Sequence, residues 1–111
     1  MFGLYHTDSK SNKAIWIPLN IESKEISFQL DTGASATVIP VTVYNELFSS
    51  YKLDPTNTSL RNYTGDKVHI LGQLSMNIQY NDQYHELPLI VVDSPGPPLL
   101  GRNWLHKIKL D

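Results

Sequence analysis

Apolar residues return at every second position through much of this chain, and that spacing commits it to strands. Ile15, Ile17, Leu19 and Ile21 fall on one face of an extended segment, and Ile26, Phe28 and Leu30 on one face of the next. Glu22-Ser23-Lys24 between them reads as a hairpin turn. The same period returns at Leu74, Met76, Ile78 and Tyr80, followed by an Asn81-Asp82 turn and the apolar run Leu87–Val92. Ser59–Tyr63 and Lys67–Leu71 flank Thr64-Gly65-Asp66 as a further hairpin, and Asp54-Pro55-Thr56-Asn57 reads as a turn. Helical spacing is confined to Val41–Phe48, through Tyr44, Leu47 and Phe48, and to a short stretch from Arg102 to about Lys107. Ser94-Pro95-Gly96-Pro97-Pro98 is a rigid loop, and Ile108-Lys109-Leu110 reads as a final strand. The polar stretch His6–Lys13 would join a short arm, Met1–Tyr5, to the body. Many short strands, frequent turns and little helix predict an all-β closed or sandwich-like domain.

With 111 residues the chain makes one domain, 1–111, with a core of its own. It has no cysteine, so disulfide and thiolate chemistry are excluded. A net charge of −2 argues against a nucleic-acid-binding surface. No apolar run reaches the length of a membrane span, and Met1–Lys10 lacks a signal-peptide layout, so an intracellular location is expected. His6, His69, His85 and His106 are scattered, without the spacing of converging ligands, so no metal and no cofactor are expected. Trp16 and Trp104 are expected to be packing residues. No G-x-S-x-G frames Ser35, so it is not a hydrolase nucleophile.

Two segments carry the chemistry. In the first, Asp31-Thr32-Gly33-Ala34-Ser35 follows Ile26, Phe28 and Leu30 and precedes Val38-Ile39-Pro40. Asp-Thr-Gly alone is ordinary turn composition. Apolar strands on both sides would instead hold the acid at the floor of the domain, where burial disfavours its charged form. The second segment is Pro98-Leu99-Leu100-Gly101-Arg102-Asn103-Trp104-Leu105. Alone it reads as a strand ending in a glycine turn before a helix.

In this order and at this separation, the two segments resemble the retropepsin family of aspartic proteases, most nearly the protease domains of Ty3/gypsy-type retrotransposon polyproteins. The resemblance runs from about Ile15 to the C-terminus. It implies a closed, barrel-like all-β fold with a flap hairpin over 58–71, a short C-terminal helix and an N-terminal arm and loop over 1–13. It also implies a catalytic role for Asp31, Thr32 and Gly33, with Thr32 interlocking with its counterpart across the active-site floor. Gln29, Ala34, Ser35, Val38, Thr64, Gly65, Pro97 and Leu99 would line the substrate cleft. An extended peptide would lie there as an added strand, with apolar residues favoured beside the cut.

The chemistry of this family needs two carboxylates sharing a proton. Here Asp31 stands in the only Asp-Thr-Gly, and Asp54, Asp66, Asp82 and Asp93 lack that context. A second copy must supply the other acid, so the resemblance implies a homodimer with Asp31 and its copy on a twofold axis. The termini, Met1–Tyr5 and Ile108–Leu110, would interleave between protomers. The expected activity is endoproteolysis of polyprotein segments, in the cytoplasm or in virus-like particles.

Two positions depart from relatives. Ala34 cannot offer the hydroxyl donor that pepsin-like enzymes have there. Removing a donor from a charged form disfavours that form, so the expected pH optimum is mildly acidic to neutral. Ser35 stands where several retroviral relatives carry an Asp that pairs with the arginine matching Arg102. Arg102 must therefore find another acceptor, such as a backbone carbonyl, or stay solvated. Rival readings are a domesticated retropepsin fold that dimerises or binds peptide, the retropepsin-like domain of a ubiquitin-pathway shuttle protein, and an unrelated small β-barrel binding domain.

Overall fold

The computed structural model describes residues 14–62 and 64–110. The proposed arm Met1–Tyr5 lies outside the described residues. The strands are β1 (Trp16–Ile21), β2 (Lys24–Leu30), β3 (Val38–Pro40), β4 (Leu60–Arg61), β5 (Lys67–Val68), β6 (Ile70–Tyr80), β7 (Gln83–Val92) and β8 (Leu99–Leu100). Two short helices join them, α1 (Val41–Leu47) after β3 and α2 (Arg102–Leu105) after β8. Six strands close into a ring in the order β1-β2-β8-β3-β7-β6, while β4 and β5 form a separate two-stranded sheet. The all-β expectation holds. Among the described residues no helix is long and apolar enough to cross a membrane.

The alternation in the sequence explains the ring. Leu19, Ile21, Ile26 and Phe28 point inward from the β1–β2 hairpin, and Leu74, Met76 and Ile78 do so from β6. Glu22 and Ser23 turn the first hairpin with φ of 50° and 69°, the positive angles of a two-residue type I′ loop. Glu22 is tied down further: its carboxylate Oε2 accepts the backbone N–H of Asn77 at 2.9 Å and the Asn77 side-chain amide at 3.1 Å. Trp104 is fully buried against Phe28, with ring centroids 5.8 Å apart, and its indole N–H donates to the Pro88 carbonyl at 2.7 Å. Burial of a side chain such as Phe28 contributes roughly 2–3 kcal/mol. A smaller apolar cluster of Ala36, Val38, Ile90 and Val92 sits apart, with Leu60, Val68, Ile70 and Leu99 packed on it. It fastens the β4–β5 hairpin to the body.

Four sequence expectations need correction. Asp54–Asn57 is not a turn: Asp54 exchanges both backbone hydrogen bonds with Gln73, at 2.9 Å each. Pro55 drives its predecessor toward extended geometry, which favours that bridge. Ile108–Leu110 joins no ladder. Ile108 is buried in the core, and the Gln83 side-chain amide takes the place of a strand partner. It donates to the Lys109 carbonyl at 2.6 Å and accepts the Lys109 N–H at 2.8 Å. Ile15 precedes β1 and is exposed, so the inward face begins at Ile17. Trp16 remains half exposed, so of the two tryptophans only Trp104 is a core residue.

Candidate active site

The insertion of β8 between β2 and β3 builds the site. Gln29 and Leu30 pair with Leu99 and Leu100 in parallel, and Val38 pairs with Leu99 from the other side. Residues 31–37 therefore leave β2, pass over the end of β8 and return in β3. The N–H of Asp31 donates to the Leu100 carbonyl at 3.1 Å, which places the acid where β2 and β8 end together.

Behind the loop the chain crosses itself at Gly101. A Cβ there would stand 2.4 Å from the Ala36 carbonyl oxygen and 3.0 Å from that of Ala34, so only glycine fits. The residues that follow stitch the loop in place. Arg102 N–H donates to the Ala34 carbonyl at 2.8 Å, and Asn103 N–H to the Ser35 carbonyl at 3.3 Å. Gly101 N–H donates to the hydroxyl of Thr37 at 2.9 Å. That hydroxyl and the Thr37 N–H both donate to Asn103 Oδ1. Thr37 is fully buried, and with Asp31 it makes up the buried polar side chains of the described residues.

Asp31 is 8% exposed. Its Oδ1 accepts the N–H of Gly33 at 3.0 Å, and Gly33 is thereby the residue that orients the carboxylate. No buried side-chain nitrogen or oxygen among the described residues lacks a partner. Oδ2 has no donor among the described residues and is therefore not buried, and Asp31 lines the cavity in front of the loop. That cavity has a volume of about 1050 Å³, above the size of most small-molecule pockets. Asp31 is the one carboxylate that the described residues bring to its lining. An acid held by a backbone donor at the floor of a cleft can take a proton from water or give one to a carbonyl oxygen.

Most of the residues expected at the site converge on this cavity. Asp31, Gly33, Gln29, Ala34, Ser35, Val38, Pro97 and Leu99 all line it. Thr32 does not; it faces outward, exposed, and its carbonyl accepts from the Arg102 guanidinium at 3.4 Å. Arg102 thus combines the two alternatives expected for it, a backbone acceptor and exposure to solvent. Thr64 and Gly65 stand at the tip of the β4–β5 hairpin, away from the lining. The hairpin contributes Leu60, Arg61, Asn62 and Val68 instead. Asn62 closes its loop: Oδ1 accepts from the N–H and hydroxyl of Thr64 and from the N–H of Asp66. Sequence reasoning placed a hairpin here but assigned only its tip to the cleft, because which flanking residues face inward depends on how the hairpin packs on Ala36, Val38, Ile90 and Val92. An Asn two residues ahead of Thr64, in Asn62-Tyr63-Thr64-Gly65-Asp66, was the available signal. Among the described residues no three His, Asp or Glu side chains converge as a metal-binding group.

Comparison with known proteins follows the same lines. The family described as "gag-polyprotein putative aspartyl protease" matches residues 17–107. Among solved structures, EIAV protease complexed with the inhibitor HBY-793 is similar with a TM-score of 0.70 and 22% identity, covering 96% of this chain and 98% of that one. The retroviral protease-like domain of Ddi1 from Leishmania major gives 0.66 and 13%, covering 86% and 77%. A retropepsin-like aspartic protease from Rickettsia conorii gives 0.62 and 22%, covering 91% and 76%. At such identities these structures speak to the fold, which is retropepsin-like. No curated protein sequence matches the chain.

Proposed function

Because the chain belongs to the gag-polyprotein aspartyl protease family, we propose that it is one half of a dimeric aspartic endopeptidase that cuts extended segments of a polyprotein. The observation that carries this reading is Asp31, nearly buried at the cavity floor and the sole carboxylate that the described residues bring to the lining. One chain offers one acid, and hydrolysis by a proton-sharing pair needs two. A twofold axis beside Thr32 and Gly33, both exposed in the single chain, would bring two copies of Asp31 together.

Two carboxylates that close cannot both ionise, as is well established for aspartic proteases. The ionised one takes a proton from a water molecule lying between them, and the water oxygen attacks the scissile carbonyl carbon. The protonated one gives its proton to the carbonyl oxygen. Collapse of the tetrahedral intermediate breaks the C–N bond as a proton passes to the leaving nitrogen. Gly33 keeps each carboxylate in plane through its N–H. The β4–β5 hairpin serves as the flap, covering a peptide that lies over Ala34, Val38 and Leu99. Thr64 and Gly65, at its tip, reach the substrate when the hairpin closes.

The test is cleavage of a peptide mixture by wild type and by Asp31→Asn, with a statine-type transition-state analogue as a second arm. Sedimentation is run over the same dilution series. Cleavage lost in the variant, blocked by the analogue and falling as the dimer dissociates supports the reading. An active monomer, or turnover surviving in Asp31→Asn, overturns it.

A further inference from the structure

Gln29 stands on the cleft face of β2, two residues before Asp31. Its backbone N–H donates to the Pro98 carbonyl at 2.9 Å, and that of Asp31 to the Leu100 carbonyl at 3.1 Å. The pairing with β8 thus carries the extended geometry of β2 on to the acid, and residues two apart on a strand share a face. Phe28 and Leu30 turn the other way, into the core. Gln29 and Asp31 both line the cavity. Across the floor, Gln29 pairs with Trp16 on one side and with Leu99 on the other, and Leu99 pairs in turn with Val38. The half-buried glutamine is thus the polar member of a row that is otherwise apolar. Its side-chain amide has no hydrogen-bond partner among the described residues and is therefore not buried. Solvent satisfies it in the free chain.

We propose that Gln29 is a specificity determinant: its amide hydrogen-bonds an Asn, Gln, Ser or Thr side chain of the substrate within two residues of the scissile bond. The proposal rests on the reading of this cleft as the peptide-binding site of a protease. Distance sets the position. Two strand residues span about 7 Å, and an extended peptide covers that length in two residues. What lies over Gln29 is therefore at most two residues from what lies over Asp31. Chemistry sets the preference. A bound peptide expels solvent from the floor, and the amide then has two N–H donors and an acceptor oxygen to be paired. An apolar substrate side chain leaves them unpaired, whereas an amide or hydroxyl pairs with them. That difference amounts to about two- to tenfold in kcat/KM. The proposed twofold axis puts one Gln29 on each side of the cut, so the preference holds on both sides.

The experiment compares peptides of one sequence that differ at a single position by a near-isosteric pair, Asn against Leu or Thr against Val. The pair is placed in turn at each of the two positions on either side of the cut. kcat/KM is measured for wild type and for Gln29→Met, which keeps the length of the side chain and removes the amide. The polar-to-apolar ratio should be about two- to tenfold higher in wild type than in the variant at one or more positions. A change in overall activity cancels from that ratio, so a purely structural role for Gln29 would leave it where it was. Should Gln29→Met fold poorly, as judged by its melting temperature, Gln29→Leu takes its place. Ratios unchanged at every position would overturn the proposal. Kd for the same pairs, with a reduced and uncleavable bond at the cut, is read in parallel by fluorescence anisotropy. Cleavage with unchanged ratios would sink this inference and leave the protease intact. Binding ratios that depend on Gln29, without cleavage by wild type, would do the reverse.

Discussion

The side-chain oxygen of Asn103 accepts two hydrogen bonds from Thr37, one from its backbone N–H at 3.0 Å and one from its hydroxyl at 3.1 Å. The hydroxyl in turn accepts the N–H of Gly101. These two residues, 66 positions apart, clamp the far end of the loop that begins at Asp31. Replacing Thr37 by Val keeps the shape but leaves the Gly101 N–H buried without an acceptor. The expected loss is about 1–3 kcal/mol of stability, read from the midpoint of urea unfolding. Turnover should fall with it. Thr37→Ser, which keeps the hydroxyl, should restore most of both, and an unchanged midpoint in Thr37→Val would contradict the clamp.

Gly101→Ala should be among the most damaging single substitutions in the chain. Its methyl group would sit 2.4 Å from the Ala36 carbonyl oxygen, against backbone rather than a side chain that can swing away. The expected cost is about 3 kcal/mol or more, the upper end of overpacking penalties, with reduced soluble yield and a lower melting temperature. A wild-type melting temperature would show that the crossing behind the loop is looser than this geometry.

Asn62→Ala separates hairpin shape from global stability. The loop it closes is exposed, so unfolding free energy should change by less than about 1 kcal/mol. Three donors from Thr64 and Asp66 lose their acceptor, so the hairpin should sample more conformations. The predicted signature is a raised KM for peptide with a near-normal melting temperature. Equal loss of stability and activity would mean that the loop is structural only.

The pH profile offers a test at Ala34, whose side chain has no hydroxyl. Ala34→Ser introduces a donor beside the proposed pair of Asp31 carboxylates. A donor to the charged form favours it, so the ionised acid should persist to lower pH and the acid limb of the rate profile should move downward. Wild type should peak in the mildly acidic to neutral range. A wild-type optimum near that of pepsin, or a profile displaced upward by the serine, would refute the argument.

The strands, the first hairpin and the place of the acid were legible in the sequence because local forces set them. A period of two must bury one face, and Leu19, Ile21, Ile26, Phe28, Leu74, Met76 and Ile78 do so. Asp31 between apolar flanks had to come to rest at the edge of the core. The order of the ring was not legible. β8 is two residues long and lies between β2 and β3 through contacts 61 and 70 positions apart in the chain, which no local pattern encodes. Nor could the sequence show that Gln83 would satisfy Lys109 in place of a strand, or that Asp54 would bridge to Gln73. Each depends on which backbone groups the closed ring leaves unpaired. The sequence by itself determined that there is one catalytic-type acid in a β framework. Tertiary structure alone decided what surrounds it, bringing Gly101 and Asn103 behind the loop and setting Arg61 and Arg102 in the same cleft as Asp31.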